Sequence, residues 1–219
     1  MGRTPGSGAV IAGLTVGISA AYYLASLLPG IPQPGAAVYQ FILALVLMFA
    51  VPAAIIRRTG MGNLADYGWK KPVRGRELAW LAVGVPAVLT ISWFSADQAD
   101  FRGFYPLFGK EFPLSGANIL LVVLLEISYL LYYIGWEFLY RGFALFGLKR
   151  AWGLVPAMVF QAAVSGAMHL HKPAAELAAS FPAGVVFGLA ALHCRSLRPV
   201  IVCHWLLGAS LDLFILLRP

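Results

Sequence analysis

Apolar runs long enough to cross a lipid bilayer follow one another along almost the whole chain. A membrane-spanning helix needs about 20 mostly apolar residues, and such runs lie near residues 9–28, 37–56, 77–94, 118–140, 153–170, 174–193 and 199–217. Only 11% of the residues are charged, whereas a soluble domain carries about a quarter. The sequence therefore excludes a soluble globule and predicts an all-α, polytopic transmembrane helix bundle of about seven spans, six to eight in all.

The polar segments between these runs divide the chain without suggesting a second domain. Prolines and glycines interrupt the chain between the first two runs, and polar loops cover residues 57–76 and 95–117. We predict one membrane domain over residues 1–219. Its N-terminal spans and basic loop occupy residues 1–117, and residues 118–217 carry the residues of chemical interest.

Basic residues mark one side of the predicted membrane. Six of the 16 lysines and arginines lie in the loop 57–76, and cytoplasmic loops are enriched in these residue types. If that loop is cytoplasmic and the spans alternate, 12 of the 16 basic residues fall inside. This distribution predicts a cytoplasmic N-terminus and an external C-terminus. Because topology accounts for the net charge of +7, no nucleic-acid partner is predicted.

A few ionisable side chains occur in or beside the apolar runs, where a charge costs several kcal/mol unless it is paired, neutralised or faces a wet cavity. All four histidines lie in the last third of the chain. We therefore predict a polar chamber enclosed by the C-terminal helices. The residues concerned are Glu126, Glu137, Glu176, Asp212, His169, His171, His193 and His204.

The first cluster of such residues lies in the fourth apolar run. Glu137 and Arg141 are four residues apart, on one helical face and within reach of an ion pair. The pair either only neutralises two charges in a membrane helix or forms part of a site. Glu126 and Tyr133 are predicted to lie on the same face of this helix as Glu137. Glu126 is interpreted as a partner of a tyrosine, with lining of the chamber as the alternative.

The second cluster joins the fifth and sixth runs. His169 and His171 are two residues apart, so at most one of them faces a common site if they lie on a helix. Either one is equally compatible with a histidine at a helix interface. Glu176 follows Pro173 at the start of the next run, where a carboxylate also stabilises a helix N-terminus.

The third cluster lies in the last run. His204 is several residues inside the run and needs a hydrogen-bond partner there. Gly208 follows one helical turn later, and Asp212 one turn after that. Two cysteines in apolar surroundings, Cys194 and Cys203, are interpreted as small buried residues without an implied disulfide.

The three clusters together resemble the motifs of the CPBP family of intramembrane proteases (CAAX protease and bacteriocin-processing, also called Abi). That family carries EExxxR, FxxxH and HxxxN on separate transmembrane helices. Residues 136–141, 165–169 and 204–208 correspond to these motifs in the same order. Three positions differ from the family pattern: Trp136 replaces the first glutamate, Ser165 the phenylalanine and Gly208 the asparagine.

The resemblance implies roles for the matching residues. In the family, the glutamate pair and the first histidine activate water, while the last histidine and the asparagine stabilise the oxyanion. The catalytic residues carried over are Glu137, Arg141, His169 and His204, and the possible supporting residues are Glu176, Asp212, Glu126 and Tyr133. Glu137 is expected as the base, with possible help from Glu176. His204 is the only oxyanion donor carried over, unless Asp212, backbone or water substitutes.

The predicted function is that of an intramembrane endopeptidase that uses a glutamate-activated water to cleave a membrane-anchored peptide or protein tail. No cofactor and no metal are predicted, and the bilayer and the substrate are the expected partners. A multi-pass location in a bacterial inner membrane is favoured by the resemblance. Three alternatives stay open: a catalytically inactive binding or scaffold protein on the same fold, a metal-dependent hydrolase with a ligand set of Glu137, His169 and His204, and a small transporter.

The depth of the predicted site in the bilayer is a condition of the catalytic hypothesis. Glu137 falls near the inner end of its run and His169 near the outer end of the next. They can meet only if the long apolar stretch 118–148 shifts along its axis or the segment 171–176 dips into the bilayer within the protein.

Overall fold

The computed structural model describes residues 5–27, 30–70, 74–110, 114–116 and 118–218, and within these residues every regular element is helical. Two helices contain wider, π-helical turns, at Leu45–Ala50 in α2 and Phe138–Phe146 in α5. The helices are α1 (Pro5–Ser26), α2 (Gly35–Thr59), α3 (Arg74–Ser95), α4 (Ala99–Phe104), α5 (Asn118–Trp152), α6 (Leu154–Ala167), α7 (Ala174–Cys194) and α8 (Arg198–Leu217).

Six of the described helices are long and apolar enough to cross a membrane: α1, α2, α3, α5, α7 and α8. The prediction of a polytopic helical bundle is thereby confirmed. The apolar run 153–170 differs from its expected form because only 14 of its residues, Leu154–Ala167, form the helix α6. At 1.5 Å per residue α6 is about 21 Å long, which is less than the roughly 30 Å of a bilayer core. The cytoplasmic N-terminus stays a prediction.

The lengths of α5 and α6 explain how Glu137 and His169 come to lie at the same depth. The helix α5 has 35 residues and is therefore about 52 Å long, so it extends well beyond the predicted span 118–140. It is followed directly by α6, and the two helices meet at Gly153. Glu137 lies 16 residues before Gly153, and His169 lies 16 residues after it. Two helices that pack side by side from this point bring both residues to one level.

The C-terminal part of α5 forms the centre of the bundle. Its side chains from Trp136 to Leu145 are buried without interruption. The helix α8 packs against α3, α5 and α7. A hydrogen bond from the Ser92 hydroxyl to the Leu207 carbonyl oxygen (2.8 Å) fixes α8 against α3. The C-terminal helices therefore enclose α5 on the side that carries its ionisable residues.

Close packing of α2 against α5 depends on Gly135. A Cβ atom at this position would collide with the backbone carbonyl group of Ala44 in α2. Backbone cannot rotate away as a long side chain can, so only glycine permits this separation of the two helices. Gly135 lies two residues before Glu137, and the packing at this point therefore sets where α5 places its carboxylate.

Gly135→Ala is expected to destabilise the protein by about 1–3 kcal/mol, the usual cost of overpacking a close-packed interior. This cost exceeds the gain of up to about 1 kcal/mol in helix propensity. The measurement is thermal unfolding in detergent micelles. Gly17→Ala in α1 is the matched control, because a Cβ there meets nothing within 4 Å. Equal unfolding temperatures for the two variants would show that the contact between α2 and α5 tolerates a methyl group.

Candidate active site

The centre of the site is a buried ion pair within α5. Glu137 is 0% exposed and Arg141 is 2% exposed, and their Oε1 and Nη1 atoms are 3.4 Å apart. The arginine belongs to the π-helical segment that starts directly after Glu137, and such segments often occur at functional sites. The predicted pairing of these two residues is therefore present, in a part of the helix with altered turn geometry.

His204 of α8 contacts the same carboxylate. Its Nδ1 atom lies 2.6 Å from Glu137 Oε1. Because an ionised carboxylate can only accept a hydrogen bond, Nδ1 donates, and the short distance is typical of a charge-assisted bond. This contact joins α5 to α8. It leaves Nε2, on the other side of the ring, free of the carboxylate.

A cavity of about 280 Å³ lies between α3, α5, α7 and α8, and His204 is part of its wall. Its polar lining includes Tyr105, Tyr133, Arg141, His169, Glu176 and His204. The rest of the wall is largely apolar and includes Phe187 and Leu207. A chamber with polar groups is therefore present as predicted, but α3 and Tyr105 complete its wall, so the C-terminal helices do not enclose it alone. Glu137 itself does not line it and lies behind His204.

His169 reaches the cavity from the turn that follows α6. Its Nδ1 atom donates a hydrogen bond to the Ser165 carbonyl oxygen (2.9 Å), because a carbonyl oxygen only accepts. Nε2 therefore carries the lone pair of the neutral ring, and it lies 3.8 Å from Glu176 Oε1. The turn 168–173 lies outside the six spans. Burial lowers the pKa of His169 to about 3, which keeps the ring neutral near pH 7.

Glu176, in the first turn of α7, is the acidic residue that lines this cavity. The Tyr105 hydroxyl lies 2.9 and 2.8 Å from its two oxygens and donates to this carboxylate. Lys172 Nζ lies 3.8 Å from Oε1 and donates to the Tyr105 hydroxyl oxygen (2.7 Å). Burial raises the pKa of the Tyr105 hydroxyl, which keeps its proton in place. The tyrosine and the lysine are therefore the polar neighbours of the Glu176 carboxylate.

The other acids of the spans do not face this cavity. Glu126 and Asp212 lie next to each other where α5 packs on α8, and neither lines the chamber. The Glu126 carbonyl oxygen also accepts a hydrogen bond from Trp205 Nε1 (2.8 Å). Sequence reasoning placed Glu126 beside a tyrosine, whereas the structure shows that its carboxyl group is next to that of Asp212.

His171 points away from the chamber. Its ring lies 5.8 Å from that of Tyr23, and it lines a second cavity of about 390 Å³. The expectation that at most one of His169 and His171 faces the site is confirmed. Among the other residues of this part of the chain, Cys194 and Cys203 are buried and their thiols are free.

Trp136 forms the wall between the two cavities. It lines both, and its ring stands edge-on to those of His169 and His204, at centroid distances of 5.3 and 6.3 Å. The residue that replaces the first glutamate of the family motif is therefore at the site, as an aromatic surface. Trp136 cannot supply the carboxylate that the family motif has at this position, so a second carboxylate at the site has to come from another residue.

Tyr105 and Lys172 were missed by sequence reasoning. Tyr105 comes from the polar loop before α5 and is 71 residues from its partner Glu176. Lys172 is four residues before Glu176, and that spacing was the one signal in the sequence. Helical periodicity relates residues within one helix, so it could not predict that Tyr105, in a loop, contacts Glu176.

A metal-binding arrangement finds no support among the described residues, where no group of three or more His, Cys, Asp or Glu side chains could hold an ion. Glu137 and His204 hydrogen-bond directly to each other.

Comparison with known families shows a similarity over the C-terminal part of the chain. Residues 116–210 match a family model described as type II CAAX prenyl endopeptidase Rce1-like. The matched segment, which carries Glu137, His169, Glu176 and His204, is similar to this family. This match confirms the resemblance to the CPBP family, and the Rce1-like segment contains all three motif regions. It supports a function of the CAAX-type intramembrane protease kind. No curated protein and no solved structure matches the chain.

Acid is expected to destabilise the protein through His169. An unfolded histidine has a pKa of about 6.5, whereas burial holds that of His169 at about 3. Between these values the unfolded state binds more protons, so stability is full above pH 6.5 and falls as the pH decreases towards 3. The measurement is the unfolding temperature in detergent at pH 7, 5.5 and 4.

His169→Gln should make this dependence on pH shallower, because glutamine does not titrate. The control is His171→Gln, which removes an exposed histidine two residues away and should change the slope less. Identical slopes for wild type and His169→Gln would show that the pKa of His169 is the same in the folded and the unfolded protein.

Proposed function

We propose that this protein is an intramembrane endopeptidase that hydrolyses a peptide bond of a membrane-anchored peptide or protein. The observation that carries the proposal is the 2.6 Å contact of Glu137 with His204. It fixes a histidine on the wall of a cavity that also contains His169 and Glu176. For amide hydrolysis, a carboxylate can accept the proton of the attacking water, and imidazoles can bind the water and donate to the oxyanion. The cavity provides the space for the substrate.

The position of the cavity favours access from the bilayer. Its lining includes Ile91 of α3 and Ala175 and Ala179 of α7, which are exposed residues of two candidate spans. Exposed surface of a spanning helix faces lipid, so the cavity opens towards the membrane. The small side chains of α7 leave room for an extended peptide segment, and the apolar walls suit a substrate that arrives from lipid.

Activation of water is assigned to Glu176 together with His169. Glu176 lines the cavity, accepts a hydrogen bond from the Tyr105 hydroxyl and lies 3.8 Å from Lys172 Nζ. The neutral Nε2 atom of His169 accepts a hydrogen bond from the same water. As the water oxygen attacks the substrate carbonyl carbon, its proton moves to the Glu176 carboxylate, and the carbonyl electron pair moves onto the carbonyl oxygen.

Stabilisation of the resulting oxyanion is assigned to His204. Nδ1 of this residue donates to Glu137. The mechanism uses His204 as the imidazolium, in which Nε2 also carries a proton, and Nε2 donates a hydrogen bond to the oxyanion without transferring that proton. When the intermediate collapses, the carbon–nitrogen bond breaks and the leaving amine takes the proton from Glu176. The products are a carboxylic acid and an amine.

Glu137 acts in this mechanism through His204. It is buried behind the imidazole and does not line the cavity, whereas its ion-pair partner Arg141 forms part of the cavity wall. A direct role of Glu137 as the base was expected from the family motif. Because Glu176 lines the cavity and Glu137 does not, we assign a positioning role to Glu137 and the proton-accepting role to Glu176, which comes from a different helix.

Glu176→Gln should lower kcat by about 100- to 10,000-fold, the usual contribution of a general base. The assay uses proteoliposomes of the full chain, a prenylated CAAX-type peptide and its unprenylated form, and mass spectrometry of the products. Glu77→Gln is the matched control, because Glu77 is a buried acid of α3 outside the cavity. It should retain the activity of the wild type.

Glu137→Gln should lower kcat by about 100-fold with little change in KM, because the imidazolium that donates to the oxyanion loses its counter-charge. It also leaves the Arg141 charge unpaired and buried, which is destabilising. The double variant Glu137→Gln with Arg141→Met removes that charge, so its unfolding temperature separates loss of folding from loss of chemistry.

Two results would contradict the proposal in different ways. If Glu137→Gln is inactive and Glu176→Gln is fully active, Glu137 is the base and the roles assigned to the two glutamates are wrong. If the folded wild type cleaves neither peptide but binds one of them, the protein is a non-catalytic binder on the same fold.

A further inference from the structure

The space beside His204 in which the family motif has an asparagine side chain is filled by a tyrosine. Gly208 occupies the asparagine position, one turn after His204 in α8. A Cβ atom on Gly208 would collide with the hydroxyl oxygen of Tyr133 and would lie 3.0 Å from Cε1 of Tyr129. No side chain fits at position 208 while Tyr133 keeps its place. The position of the Tyr133 side chain therefore depends on a glycine at position 208.

Tyr133 is held against the catalytic histidine. It lies four residues before Glu137 in α5, so the two side chains project from one face of the helix. Its ring centroid is 4.5 Å from that of His204. Tyr133, Gly208 and His204 all line the same cavity. The phenol hydroxyl lies at the surface of α8, one turn from the imidazole, at the edge of the space open to a substrate.

An oxyanion in an apolar cavity needs more than one hydrogen-bond donor. His204 supplies a single donor from Nε2, since Nδ1 is bound to Glu137. A tyrosine hydroxyl is a strong neutral donor that carries no charge penalty in an apolar site. The side-chain amide of an asparagine would supply its donor from α8, whereas the phenol of Tyr133 supplies one from α5 to nearly the same place.

We infer that the Tyr133 hydroxyl is the second donor to the oxyanion and takes the place of the missing asparagine. This inference rests on the proposed peptidase function of the cavity. It gives Tyr133 a catalytic role, since its hydroxyl contacts the reacting oxygen. It also explains the loss of the asparagine, because Gly208 leaves the volume into which the phenol extends.

The first test is Tyr133→Phe, which removes one oxygen atom and keeps the ring. We expect kcat to fall by about 100- to 1,000-fold, as for other single oxyanion donors, while KM and the unfolding temperature stay close to those of the wild type. Tyr132→Phe is the matched control. Tyr132 is the preceding residue of α5, and it lines the second cavity and not the first. It should leave kcat unchanged.

The second test exchanges the two donors. Gly208→Asn alone should lower kcat, because its side chain displaces the Tyr133 hydroxyl. Tyr133→Leu alone should lower it as well. The double variant Tyr133→Leu with Gly208→Asn should be at least about 10-fold more active than either single variant, since the amide then has room to donate. A merely structural role of Tyr133 predicts no such rescue.

A third measurement depends on binding alone. A peptide with a phosphinate in place of the scissile amide carries a tetrahedral anion, and Tyr133→Phe should bind it at least about 10-fold more weakly than the wild type does. Binding of the matching amide peptide should not change.

The outcomes separate this inference from the proposed function. If the wild type hydrolyses peptides and Tyr133→Phe does so equally well, the inference is wrong and the peptidase proposal stands. If the wild type hydrolyses no peptide, both are wrong. Equal loss of affinity for the phosphinate and the amide peptide would also overturn the inference, because it would indicate a general effect on the cavity.

Discussion

A single buried carboxylate determines the arrangement of this protein's C-terminal helices. Glu137 is fully enclosed, and a lone charge in such a position costs several kcal/mol. Arg141 offsets this cost from the same helix, and His204 does so from α8. Because His204 must reach the carboxylate, α5 and α8 are fixed in one register, and the wall of the cavity follows from that register.

Helix length is the second constraint on the site. The helix α5 exceeds the thickness of a bilayer and α6 is too short to cross one. Their junction at Gly153 brings Glu137 and His169, which hydropathy alone assigns to opposite membrane faces, to one level. A residue count between apolar runs misplaces the site because it assumes that every helix begins and ends at a membrane surface.

The three departures from the family motifs have different physical consequences. Trp136, in place of a glutamate, becomes the wall between two cavities. Gly208, in place of an asparagine, leaves room for the phenol of Tyr133. Ser165, in place of a phenylalanine, accepts the Nδ1 hydrogen bond of His169 through its backbone carbonyl oxygen, which any residue type would supply. The carboxylate that lines the cavity, Glu176, comes from α7. The polar groups of the site are therefore distributed over helices in a way that the three motifs do not describe.

Hydropathy and helical periodicity act over a few residues, and they were enough to predict the helical membrane bundle and the pairing of Glu137 with Arg141. The expectation that at most one of His169 and His171 faces the site was also correct, but both residues lie in the turn after α6, where helical periodicity does not apply. The position of Glu137 behind His204 and that of Tyr133 beside Gly208 follow from contacts between helices. These contacts depend on how far each helix extends and how closely its backbone approaches its neighbours. Such quantities arise from packing between residues that are far apart in the chain, and no local sequence pattern encodes them. Glu137 and His204, for example, are 67 positions apart.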